Sequence, residues 1–298
     1  MKGILNILKP PNMSSHDVVS VVRRKLNIQK VGHTGTLDPM AVGVLPICIG
    51  KATKVIEYLQ NDTKVYRAEL TLGTSTDTQD RWGSTISSNR VEVTKKDIID
   101  TFNSFKGEQL QIPPMYSALK HRGKKLYELA RDGIEVERKA REVYIYYLNI
   151  INIVDNRILF DVKCSKGTYV RTICHDIGQS LNCGGHMSFL ARLESGIFKL
   201  ESSITIEELN SAHIDYIKKY YLFDTDYPLD FISKIDVESS AMKSLLNGVP
   251  LKESFFKSYK KISNNELVRL YVEDKFMALG IYHKRKDFSF IKVKKLFS

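Results

Sequence analysis

The run Phe160-Asp161-Val162-Lys163-Cys164-Ser165-Lys166-Gly167-Thr168-Tyr169-Val170-Arg171-Thr172-Ile173-Cys174-His175-Asp176-Ile177 changes hydrophobic period part-way along. Phe160, Val162 and Cys164 alternate with polar residues, the period of a strand with one buried face. Val170, Ile173, Cys174, Ile177 and Leu181 recur at helical spacing, which predicts a helix over about 168–181. Upstream, the β-like pattern extends back to about residue 143. One stretch thus joins a sheet to a helix that must cover it, and periodicity alone supports a chain of mixed α and β segments.

The same two periods recur outward. Tyr66, Ala68, Leu70 and Leu72 alternate with Arg67, Glu69 and Thr71, a half-buried strand. Ser14-Ser15-His16-Asp17 is a capping box for a helix running to about Leu26, with Arg23, Arg24 and Lys25 against its negative end. The spacing predicts a further helix over 51–60, behind the apolar stretch Val44–Ile49. Thr94 to Asp97 and Thr205 to Glu208 cap two more. The acidic segment between Asp224 and Asp236, which contains Pro228, is a natural interdomain joint. Beyond it come one short helix ending at Asn247-Gly248 and three alternating runs at about 267–273, 276–283 and 288–297. The predicted division is 1–229 and 230–298.

With 298 residues the chain is long enough for about two domains. Hydrophobic and charged contents of 43% and 27% are those of a globular protein rather than a disordered or fibrous one. No apolar run reaches the ~18 residues of a membrane span; the longest, Tyr144 to Val154, is broken by Asn149 and Asn152. The N-terminus is recharged too soon for a signal peptide. Cys48, Cys164, Cys174 and Cys183 form no C-x-x-C pair, which points to reduced thiols and a cytoplasmic protein. The net charge of +11 suits a polyanionic partner. From 250 to 298 there are 12 Lys and Arg against 5 Asp and Glu.

Gly32-His33-Thr34-Gly35-Thr36-Leu37-Asp38-Pro39 is the most unusual local string. Its glycines allow positive φ and close backbone approach, and Pro39 biases Asp38 away from helix. A carboxylate on such a loop beside a histidine is placed for chemistry; a turn in which Asp38 serves its own backbone is the alternative. The string is not a phosphate-binding P-loop, because Gly43 and Gly50 are too far apart and Ala52 follows Lys51. Lys166 to Arg171 lies at a helix start, where it could contact an anion. A surface Arg171 and a packed Tyr169 are the plainer reading there. Cys164, Cys174, Cys183 and His186 lack paired zinc spacing. Cys174-His175-Asp176 lacks facing nucleophile geometry, since adjacent helical residues point about 100° apart. Asp77 and Asp80 could take a metal for RNA hydrolysis, though a turn-stabilising loop fits them better. The basic run Lys120 to Arg141, interleaved with His121 and Tyr127, combines phosphate-neutralising charge with stacking rings.

Taken in order, these strings resemble the TruB family of pseudouridine synthases. The matching pieces are Lys9-Pro10 with Met13-Ser14-Ser15, Gly32 to Pro39, Leu45-Pro46-Ile47-Cys48, Val65-Tyr66-Arg67, Ile112 to Lys120, Gly123 to Tyr127 and Cys164 to Arg171. They span roughly residues 3–200. The resemblance implies an α+β fold: a mixed, largely antiparallel sheet with flanking helices, plus a small C-terminal β-barrel of the PUA-like kind. It implies conversion of uridine to pseudouridine at position 55 in the tRNA T loop, with no metal or organic cofactor. By that resemblance the catalytic residues are Asp38, the nucleophile, Tyr66, which stacks on the base and can move a proton, and Arg171, which serves the carboxylate. Tyr169 orients Asp38 or the nucleotide, Leu190 lines the uracil pocket, and His33 supports the opened T loop. The segment 111–143 becomes an RNA-gripping thumb, with Lys120, Arg122, Lys124, Lys125 and Arg141 as its contacts. Guide-dependent relatives lack that insertion, which implies a monomer needing neither guide RNA nor protein partner. Asn12 stands where the family has Gly, a substitution tolerable in left-handed geometry. An RNA-binding or RNA-folding protein without catalysis is the competing class.

Overall fold

The computed structural model describes residues 1–59, 63–259, 262–286 and 288–297. The N-terminal part comprises β1 (Gly3–Lys9), α1 (Ser15–Leu26), β2 (Val31–His33), β3 (Val42–Ile49), α2 (Ile56–Leu59), β4 (Lys64–Leu72), β5 (Thr74–Thr76), β6 (Thr85–Ser88), α3 (Lys95–Ser104) and β7 (Gly107–Gln111). There follow β8 (Lys120–His121), β9 (Lys124–Lys125), α4 (Leu126–Arg131), β10 (Arg141–Val154), β11 (Arg157–Cys164), α5 (Val170–Ser180) and β12 (Gly185–Ser195).

The large sheet runs β1, β3, β12, β4, β11, β10, β7, with the pair Ile204–Thr205 outside β1. Apart from the parallel β3/β12 and β1/204–205 pairs, its pairings are antiparallel, so the predicted mixed, largely antiparallel sheet is what forms. Strand β12 wedges between β3 and β4 and thereby brings three separate stretches of sequence to one place. The helix α5 covers one face of this half, where Phe160, Val162, Cys164, Ile173, Cys174 and Ile177 share a core with Leu70 and Phe102. That is the strand-to-helix packing the period change demanded. A second core places α1 on β1 and β3 through Val18, Val22, Leu5, Ile7 and Ile47.

Capping chemistry sets the helix starts. Ser14, Thr94 and Thr205 each accept from the backbone three residues on and receive the reciprocal carboxylate, from Asp17, Asp97 and Glu208. Asn12 has φ 64°, the left-handed geometry expected of it. Gly32 and Gly35 do not take positive φ, contrary to the sequence expectation; the glycine of this region that does is Gly43, whose absent Cβ would lie 2.2 Å from the Arg192 carbonyl oxygen. The helix expected over 51–60 is instead a 3-10 turn, Gly50–Val55, followed by the short α2, and Gln60 falls outside the described residues.

The C-terminal sheet has six strands, ordered Leu251–Lys252, Ser289–Leu296, Lys275–Lys284, Leu267–Val272, Ser233–Val237, Phe256–Tyr259, in a nearly closed barrel-like arrangement. The acidic joint before it is packed rather than loose. Leu229 and Ile232 share a core with Ile4, Val44, Leu279 and Phe297, and Arg269 bonds Asp230 at 3.0 Å. The barrel is therefore seated on the larger sheet. Among the described residues no helix is long and apolar enough to cross a membrane.

Candidate active site

Asp38 sits on the irregular link between β2 and β3, at the end of the sheet where α5 begins. Three buried side chains fix this link by its backbone. The Leu37 N–H donates to Ser15 Oγ at 2.9 Å, and the Ser15 hydroxyl donates back to the Leu37 carbonyl at 3.2 Å. Arg192, 1% exposed on β12, donates from Nη2 to the Gly35 carbonyl at 3.1 Å and from Nε to the Val44 carbonyl at 2.7 Å. Lys9 Nζ donates to the carbonyls of Pro10 (2.9 Å), Met13 (2.6 Å) and Pro39 (2.9 Å). Burial lowers the Lys9 pKa to about 8, opposed by the nearby Asp38 charge. The carboxylate is thus held from Leu37 on one side and Pro39 on the other.

Arg171 reaches Asp38 from the first turn of α5, its Nη2 lying 3.3 Å from Asp38 Oδ1. The guanidinium side chain is 6% exposed whereas that of Asp38 is 37% exposed, so the cation is sequestered while the carboxylate faces outward. The plainer sequence reading, a surface Arg171, is therefore wrong. Arg171 also donates to the Tyr116 carbonyl at 2.7 Å and lies 3.6 Å from Asp80 Oδ2. One side chain links the carboxylate loop, the 77–84 turn and the start of the 111–143 insertion.

The remaining assigned residues converge unequally. Tyr66, half-buried on β4, packs against the core that holds Leu37, Ala41 and Leu190. Burial pushes its phenol pKa up, opposed by the Arg192 guanidinium, so the hydroxyl keeps its proton at neutral pH. Leu190 pairs with Ala68 across β12 and β4, two positions from the Arg192–Tyr66 pair and on the same face. Tyr169 caps α5; its N–H donates to Gln111 Oε1 at 2.7 Å and its carbonyl accepts from Gln111 Nε2 at 3.1 Å, while Arg171 lies 5.8 Å from its ring centroid. His33 closes β2, its Nδ1 buried without a partner and its pKa lowered by burial. Tyr66 and Leu190 thus share a core with Leu37, the residue before Asp38, and Tyr169 lies against Arg171.

Sequence reasoning missed Asp80, Ser15, Gln111 and Arg192 as parts of this site. Arg192 carried a readable signal: it stands at the same alternation as Leu190, a cation where an apolar residue belongs. Asp80 is also the turn former that its sequence suggests, accepting from Thr78 Oγ1 at 2.7 Å and from the Trp82 main-chain N–H at 3.1 Å. Cysteine chemistry gains nothing here, since burial pushes the Cys48 and Cys164 thiols up to about 12 and Cys174 higher still. Among the described residues no three His, Cys, Asp or Glu converge as metal ligands.

The basic insertion is a small substructure with its own core of Met115, Leu126 and Leu129. Its β8–β9 hairpin turns at Arg122 and Gly123, with φ values of 49° and 89°, the doubly left-handed geometry of a two-residue hairpin loop. Lys120 pairs directly with Lys125 across it. Lys120, Arg122, Lys124 and Arg141 are exposed; Lys125 is half-buried and bonds Tyr127 Oη at 3.1 Å.

Comparison with known proteins matches this arrangement. A family model for the TruB family pseudouridylate synthase N-terminal domain covers residues 23–170, and one for the tRNA pseudouridylate synthase B C-terminal domain covers 171–232. The tRNA pseudouridine synthase B of Alkaliphilus oremlandii is 52% identical over 282 residues, covering 94% of this chain and 93% of the relative. That of Clostridium kluyveri is 50% identical over 295 residues and covers 99% of each. Among solved structures, a chain of a Cbf5-Nop10-Gar1 complex has a TM-score of 0.74 at 30% identity, covering 99% of this chain and 85% of that one. Near-complete coverage at this identity, on the fold and loop described above, places the chain in the TruB family of tRNA pseudouridine synthases, enzymes that isomerise uridine to pseudouridine.

Proposed function

We propose that this enzyme acts on the uridine at position 55 of the tRNA T loop, with Asp38 as its nucleophile. Neither the ribose C1′ nor the uracil C5 can be attacked inside a stacked loop, so the nucleotide must first be extruded, at a cost of a few kcal/mol. Asp38 then adds to the substrate, the N1–C1′ bond breaks, and the base turns and rejoins through C5. The C5 proton is lost and N1 gains one, so atoms balance and no electrons are exchanged. The isomerisation needs neither metal nor organic cofactor.

The observation that carries this reading is the exposed Asp38 carboxylate held 3.3 Å from a buried Arg171, on a link immobilised by Lys9, Ser15 and Arg192. Rigid placement of a nucleophile is what converts binding into rate. Tyr66 offers a ring face for the uracil, with a hydroxyl that donates, and Leu190 supplies apolar surface beneath it. Tyr169 orients the nucleotide, and His33, kept neutral by burial, supports the opened loop. Lys120, Arg122, Lys124, Lys125 and Arg141 take the phosphates. Lys120 facing Lys125 is a like-charge pair, unfavourable by itself and relieved by a polyanion. The C-terminal unit, 230–298, holds more distant parts of the tRNA.

We read the enzyme as a cytoplasmic monomer that needs no guide RNA or protein partner, because the 111–143 insertion supplies its own grip. The test is release of tritium from tRNA carrying [5-³H]uridine. Asp38→Asn should bind tRNA and release none, and normal release by that variant would overturn the assignment.

A further inference from the structure

Asp80 leads from the Arg171 network to a feature that the reaction has not yet used. Two residues beyond it is Trp82, the single tryptophan of the chain, and 44% of its surface is exposed. The Arg81 guanidinium lies 4.8 Å from the centroid of its ring. Among the described residues no carboxylate pairs with Arg81. An exposed indole with an unneutralised cation on its face combines the two groups that grip single-stranded RNA, a stacking plane and a phosphate ligand.

The turn that carries this pair is held on every side. The Arg81 N–H donates to the Met187 carbonyl at 3.0 Å and the Met187 N–H to the Gln79 carbonyl at 3.0 Å, fixing the turn to β12. Thr172 Oγ1 donates to Gln79 Oε1 at 2.7 Å, fixing it to α5. Gly83 lets the turn close, since a Cβ there would come within 2.3 Å of Asp77 Oδ1. The indole is therefore displayed on a rigid mount at low entropic cost of binding. From the Trp82 backbone to the nucleophile are three contacts: the Trp82 main-chain N–H to Asp80 Oδ1 (3.1 Å), Asp80 to Arg171 (3.6 Å) and Arg171 to Asp38 (3.3 Å).

We propose that Trp82 and Arg81 form a stacking and phosphate contact on the rim of the Asp38 site, occupied by an unpaired nucleotide of the tRNA next to the extruded uridine. This rests on the reading of Asp38 and Arg171 as the place of chemistry. Opening a loop to extrude one base leaves its neighbours unstacked, and the indole replaces the lost stacking surface.

The lone tryptophan makes the test direct. Asp38→Asn protein, titrated with an unmodified T-arm stem-loop RNA, should show quenched or shifted indole emission that saturates with the binding measured by filter retention. Trp82→Ala should raise KM for the stem-loop about tenfold while kcat stays within about twofold, and Trp82→Phe should recover most of the loss. Arg81→Ala should lower the slope of log affinity against log salt by about one. Saturating RNA binding with unchanged emission, or an unchanged KM in a Trp82→Ala protein that melts like the parent, overturns the proposal. The Asp38 reading fails separately, by tritium release from Asp38→Asn.

Discussion

Replacing Arg192 by Met removes a side chain that touches no substrate and should still cost both stability and rate. Arg192 is 1% exposed and donates charge-assisted hydrogen bonds to the carbonyls of Val44 (2.7 Å) and Gly35 (3.1 Å). Bonds of this kind contribute roughly 1.5–3 kcal/mol each, so about 3–6 kcal/mol is lost. Methionine fills similar space and no longer requires a cation to leave water, which recovers part of that loss. The net destabilisation should be about 3 kcal/mol, or a fall in Tm of about 5 °C for a chain of this size. The Gly35 carbonyl belongs to the link that carries Asp38, and the same guanidinium lies beside the Tyr66 phenol. A displacement of about 1 Å there is worth roughly a hundredfold in kcat. Arg192→Lys should recover little, since one ammonium cannot reproduce the guanidinium's two-pronged reach. Calorimetric melting and tritium release, measured on both variants, check the two effects together. An Arg192→Met protein that melts and turns over like the parent would refute the claim that this buried cation holds the site.

Burial raises the Asp176 pKa to about 6, so the folded protein binds the proton more tightly than the unfolded chain does. Stability from this group is therefore full below about pH 4 and declines as pH rises towards 6; after discounting for its partial exposure, Asp176→Asn should stabilise by about 1 kcal/mol at pH 7.5 and by nothing at pH 4, read from Tm at both. Alanine at Lys120, Arg122, Lys124 and Arg141 together should weaken tRNA binding and flatten its salt dependence by about three units of slope, leaving kcat at saturating tRNA unchanged. A parental salt slope in that variant would remove the 111–143 hairpin from the RNA interface.

The parts of this fold that were legible in the sequence are those that local rules write. Ser14 with Asp17, Thr94 with Asp97 and Thr205 with Glu208 announced three helix starts, because a cap and its partner lie within one turn. The period change between Cys164 and Val170 announced a strand, a helix and the face joining them. Strand order was not legible: β12 lies between β3 and β4, and nothing local encodes a neighbour more than a hundred residues away. For the same reason Asp38 could be singled out on its loop, while Asp80, Gln111 and Arg192 could not be joined to it. Each meets the site only through tertiary contact. The Gly32 and Gly35 expectation failed because that link is shaped by side chains clamping its carbonyls rather than by left-handed backbone.

The central claim is that Asp38 is the nucleophile of a uridine isomerisation, and tritium release separates that claim from RNA binding alone. On tRNA labelled at C5 of uridine, the parent should release tritium from position 55. Asp38→Asn, which keeps the size of the side chain and its place beside Arg171, should bind the same tRNA with similar affinity and release none above background. Release by Asp38→Asn at a rate near the parent's would contradict the account.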